Sequence, residues 1–162
     1  MKMLILDTSQ KIGILALYKE GFEIEKKEFE SINQQKILIP LIDSFLSELN
    51  LSLSDLTHIG ICIGPGSFTG TRIGVMTAKT FSYALGIPLV PFHSLLPFHK
   101  SGTLTIKEAK EGLCFVYNGV SLEKIPSTDL DQTLPHIDIT HASYSLQPIT
   151  ELPIQKNFDI IY

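Results

Sequence analysis

The segment Ile59–Ile63 (IGICI) is a β-branched run of strand length that feeds directly into GPGSFTGTRIG, residues 64–74. The spacing predicts a helix over Thr71–Leu85, stopped by Gly86 with Pro88 just beyond, and then a short strand at Leu89-Val90. A strand turned through glycines into a helix commits this part of the chain to an α/β arrangement. The glycines themselves match no standard phosphate loop. Counting from Gly64 or Gly66 reaches Thr69 or Thr71 with no lysine after either, and Thr69 stands where a dinucleotide fingerprint needs its third glycine. The pattern is GxGxxxGxxxG, at Gly64, Gly66, Gly70 and Gly74, and it continues as a small-residue stripe through Ala78 and Ser82. Glycine inside a helix costs about 1 kcal/mol relative to alanine. Close approach of another backbone is one compensation. Anion binding at the helix N-terminus is the other reading, with Ser67 or Thr69 as the cap.

Upstream, Met3–Leu6, Ile12–Tyr18 and Phe22–Phe29 are strand-like runs separated by polar turns, the third with a solvent-facing side. Leu38, Leu41, Ile42, Phe45, Leu46 and Leu49 recur at helical spacing, with Pro40 either kinking this helix or belonging to its first turn. Ser52–Asp55 is a capped turn before Ile59. The order β-β-β-α-β-α-β is that of an actin/Hsp70-like (ribonuclease-H-like) α/β lobe. Residues 1–100 are expected to form this lobe. Residues 101–162 carry weaker signals (Cys114–Tyr117, Ile137–Ile139) broken by four prolines, and are expected to form a reduced second lobe of short strands and loops.

The net charge is −4, with 13 basic against 17 acidic residues and no basic run, so no nucleic-acid footprint is expected on this chain. Cys62 and Cys114 read as reduced thiols. The four apolar residues Met3–Leu6 are too few for a signal-peptide core, and no run reaches membrane-spanning length. A soluble, cytoplasmic protein is expected.

The stretch IGPGSFTGTRIGVMTAKTFSYALGIPLV, preceded by MLILDTS, resembles the TsaB (YeaZ) family over roughly residues 1–100. These are bacterial partner subunits of the machinery that makes threonylcarbamoyladenosine at position 37 of tRNA. The resemblance implies an actin-like fold and a supporting role. A larger homologous subunit, TsaD, performs the transfer, and tRNA is met only through the complex. Contact with TsaE and self-association of the isolated chain are further implied partners; no membrane and no cofactor are expected. The tail from Lys100 departs from the family pattern.

Chemistry on the chain itself has little foothold. The stretch that would carry a metal-binding histidine pair places Ser94 and Phe98 at the ligand positions, while His93 and His99 lie six apart across a proline. No GxSxG elbow is present. Asp7, Thr8 and Ser9 resemble the phosphate-facing hairpin of actin-like ATPases, and with the Gly64–Gly70 turn they sustain an alternative: a small nucleotide-binding enzyme. The competing view is an Asx-type turn between strands. No catalytic or metal residues are assigned. The resemblance implies that subunits join through the two helices, making Leu38, Leu41, Ile42, Phe45, Gly70, Arg72, Ile73, Gly74, Thr77, Ala78 and Phe81 the expected partner interface. Such an interface buries on the order of 1,200–2,000 Å². On this view Gly74→Leu abolishes partner binding while leaving the fold measurable.

Overall fold

Residues 1–139, 145–155 and 157–162 are described in a computed structural model of the chain. Three strands open it: β1 (Lys2–Asp7), β2 (Ile12–Lys19) and β3 (Phe22–Glu30). Helix α1 (Gln34–Glu48) leads through a capped 3-10 turn at Leu53–Asp55 to β4 (His58–Cys62), and α2 (Phe68–Leu85) leads to β5 (Leu89–Phe92). The five strands form one sheet in the order β3-β2-β1-β4-β5. β1 pairs antiparallel with β2, Leu4 opposite Leu17, and parallel with β4, Leu4 opposite Ile59. This is the actin-type, ribonuclease-H-like lobe that the order of elements implies.

Side chains alternate across a strand, and here both faces are apolar. Leu4, Leu6, Leu15, Leu17, Ile59 and Ile61 join Leu38, Ile42, Phe45 and Leu46 of α1 and Val75 and Ala78 of α2 in one buried cluster. The other face carries Met3, Ile5, Ala16, Tyr18, Cys62, Val90 and Phe92, also buried. Continuous apolar runs in β1 and β4 follow from burial on both sides. β3 and β5 are the sheet edges, and Pro91 is tolerated in β5 because an edge strand needs fewer ladder donors.

The chain divides into two compact units, Met1–Ser94 with Ile149–Tyr162, and Leu95–Pro148. The expected boundary at residue 100 therefore differs from this division, and the last segment groups with the first unit. The reason is apolar: Phe158 and Ile160 pack on the first unit's core, Ile149 sits against Gly60, and Ile161 N–H donates to Ile63 O at 2.7 Å. In the second unit β6 (Leu104–Glu108), β7 (Leu113–Tyr117), β8 (Leu122–Pro126) and β9 (His136–Asp138) form a sheet in the order β8-β7-β6-β9. No helix among the described residues is long and apolar enough to cross a membrane.

Candidate docking surface

The glycine turn is built around a close approach, and the neighbour is the chain's own first hairpin. Gly64 has φ +93, a conformation open to glycine. Ser67 caps α2, its Oγ accepting from Gly70 N–H at 3.1 Å, so the helix begins three residues before the expected Thr71. A Cβ at Gly66 would run into Ser9 O, one at Gly70 into Thr8 O, and one at Gly74 into Thr8 Oγ1. Hydrogen bonds close the same contact. Ser67 N–H donates to Ser9 O at 2.7 Å, Thr8 Oγ1 donates to Gly70 O at 2.8 Å, and Gln34 Nε2 reaches Thr8 O at 3.4 Å. The small-residue stripe thus lets α2 lie directly on the β1–β2 turn.

The same contact settles where Asp7, Thr8 and Ser9 stand. They are 4%, 0% and 1% exposed. Asp7 Oδ1 accepts from Ser9 N–H at 2.8 Å, an Asx turn, and Ser9 Oγ accepts from the Cys62 thiol at 3.4 Å. Burial pushes the Cys62 thiol well above its ordinary range, and the adjacent Asp7 charge pushes it further. These polar groups serve the fold of their own chain. Of the two histidines considered for metal, His99 places Nδ1 at 3.2 Å from Thr105 Oγ1 and packs edge-on to Tyr117. No group of three metal-ligating side chains occurs among the described residues.

The expected interface splits in two. Leu38, Ile42, Phe45 and Ala78 are at most 1% exposed and belong to the core, and Gly70 and Gly74 are buried against Thr8. They are corrected here to internal packing residues. Gly74→Leu would accordingly break the fold and cannot isolate partner binding. Leu41, Ile73 and Phe81 are half-buried at the edge of the core, Thr77 is half-buried, and Arg72 is exposed.

The outward surface is set by other residues. On α1 and its approach, Ile32, Ile37 and Ile39 are exposed, and Ile32 and Ile37 line a largely apolar groove with Phe29, Pro40 and Leu41, rimmed by Glu30 and Lys36. On α2, Phe68, Arg72, Met76 and Tyr83 follow helical spacing along one exposed row, Met76 at 62% and Tyr83 at 92%. The two helices touch each other. Arg72 is held in place: its Nε donates to Tyr162 Oη at 3.0 Å, and Cζ lies 3.7 Å from the Phe68 ring centre. The Phe68 and Tyr162 rings are 5.1 Å apart. The apolar run of residues 37–39 in α1 is wider than one core face needs, and that width is a signal for Ile37 and Ile39 in the sequence. Tyr162 had none, because the pairing depends on a distant segment.

Comparison with known proteins bears on the family. A family model described as "TsaD: tRNA N6-adenosine threonylcarbamoyltransferase" matches residues 28–119. The tRNA threonylcarbamoyladenosine biosynthesis protein TsaB of Bacillus subtilis is 31% identical over 151 residues, covering 89% of this chain. The match spans 64% of the B. subtilis protein, so the chain covers under two thirds of that relative's length. A tRNA N6-adenosine threonylcarbamoyltransferase of Chlorobium phaeobacteroides is 32% identical over a shorter 68 residues, 42% of this chain and 19% of that one. The solved structure of YeaZ from Pseudomonas aeruginosa superposes with a TM-score of 0.70 at 22% identity, over 80% of this chain and 69% of that one. With the TsaD family model matched across more than half its length, the chain belongs to that family, and within it the chain is similar to TsaB and YeaZ proteins.

Proposed function

We propose that this chain is a non-catalytic docking subunit of the cytoplasm. It binds a TsaD homologue through the outward faces of α1 and α2 and so supports threonylcarbamoyl transfer to adenosine 37 of tRNA. The observation that carries this reading is the exposed apolar surface of the two helices, with Ile37 38%, Ile39 56%, Phe68 56% and Met76 62% exposed. Single exposed apolar residues are ordinary, but rows of them on two adjacent helices mark an interaction site. The burial of Asp7, Thr8 and Ser9 favours docking over nucleotide chemistry at the first hairpin. The net charge of −4 favours tRNA contact through the partner. Contact with TsaE and pairing of two copies through the same helices are secondary elements of the reading.

The test is a reconstituted synthesis of threonylcarbamoyladenosine with the TsaD homologue from the same genome, tRNA and a threonylcarbamoyl donor. Adding the chain should raise product formation, and the chain alone should yield none. Modified tRNA made by the chain alone, or no enhancement on adding it, contradicts the proposal.

A further inference from the structure

Arg72 is the single arginine of the sequence. The ion pairs Met1–Glu20, Lys2–Asp55 and Lys27–Glu48 do not involve it. Acids are not scarce, at 17 in the chain. The guanidinium is instead fixed by neutral and aromatic groups, through the hydrogen bond to Tyr162 and the stack on Phe68, with the Tyr162 ring centre 5.4 Å away. Tyr162 is itself positioned by the Ile161 N–H bond to Ile63 O. A preoriented cation therefore sits in an apolar surround, Phe68 56%, Tyr162 50% and, one turn along, Met76 62% exposed. Its terminal nitrogens have no protein partner among the described residues.

Arginine in this setting is weakly hydrated and presents a planar fork that matches a carboxylate. Aromatic residues and arginine are also the commonest interface anchors, and less ordering entropy is lost when they are held before the partner arrives. We propose that Phe68, Arg72 and Tyr162 are the anchor of the docking face, and that Arg72 takes a carboxylate side chain set in an apolar surface of the partner protein. The inference rests on the docking reading above and specifies the chemistry of the partner. A nucleic-acid occupant would call for several cations along one track. Lys79, the other cation of α2, lies over the Phe158 ring instead.

The test is calorimetric titration of the TsaD homologue with the whole chain and its Arg72→Glu, Arg72→Lys, Tyr162→Phe and Met76→Glu variants, folding being checked by circular dichroism. Arg72→Glu should weaken binding by on the order of 30-fold or more. Arg72→Lys should recover part of that loss, and Tyr162→Phe should weaken binding several-fold by freeing Nε. Affinity of Arg72→Glu within about twofold of wild type, while Met76→Glu fails to bind, overturns this inference and leaves the docking reading standing. Absence of a complex with the wild-type chain overturns both. Normal protein binding by Arg72→Glu with reduced tRNA retention in the complex also overturns it, pointing to a phosphate partner.

Discussion

Gly74 of α2 lies close against Thr8, and a single methyl group there is informative. Alanine at 74 should gain about 1 kcal/mol of helix propensity, yet its Cβ would occupy the space of Thr8 Oγ1, which donates a buried hydrogen bond to Gly70 O. Overpacking of this kind costs about 1–3 kcal/mol, and displacing the hydroxyl adds the loss of that bond. Gly74→Ala is expected to lower stability by about 1–3 kcal/mol in urea titration, and the Thr8→Ala/Gly74→Ala pair to be more stable than the two single losses sum to. A Gly74→Ala variant as stable as wild type contradicts the packing. Tyr18 sets a second residue-scale expectation. Burial pushes its phenol well above the ordinary value of about 10, and its hydrogen bond to Glu23 at 2.8 Å and that carboxylate's charge push it the same way. The folded chain then keeps a proton that the unfolded chain releases. The stabilisation is complete below about pH 10 and erodes as pH rises past it, with the buried Cys62 thiol acting in the same direction. The urea midpoint should fall between about pH 9 and pH 11 in wild type and fall less in Tyr18→Phe. Equal falls in both would contradict the assignment to Tyr18.

The elements of the first unit were largely legible, because apolar runs of one period separated by polar turns leave few alternatives. Element starts were less so. α1 begins at Gln34, ahead of its apolar face, because Asn33 adopts a left-handed conformation and buried Gln34 reaches back to Thr8. Pro40 lies inside α1, and its missing donor is no signal of where the helix begins. β6 and β8 went unread, since LTIKE and LEKIP carry charges and draw their support from the more apolar β7 between them. The candidate site shows the sharper limit. A small-residue stripe states that something lies close, and periodicity is identical whether the neighbour is another subunit or the chain's own hairpin. Gly70 and Gly74 lie against the chain's own hairpin, Ala78 lies in the buried core cluster, and Leu38, Ile42 and Phe45 are core residues at positions where an interface was expected. The opposite, outward row follows from the same helical period once the inner face is fixed.

At the scale of the molecule, two helices carry separate duties on opposite faces. The inner faces hold the sheet, and the outer faces leave Ile39 and Met76 more than half exposed without a role in the core. Changes on the outer side should therefore spare folding, within about 0.5 kcal/mol, as surface substitutions usually do. The inner-face glycines permit no such separation, so the outer row is where folding and assembly come apart. The most direct measurement is a calorimetric titration of the TsaD homologue with wild-type chain and with Ile39→Glu and Met76→Glu variants matched for thermal stability. Saturable binding by wild type, lost or weakened by on the order of 30-fold in both variants, is the expected result. Undiminished binding by both stable variants would contradict docking through this face.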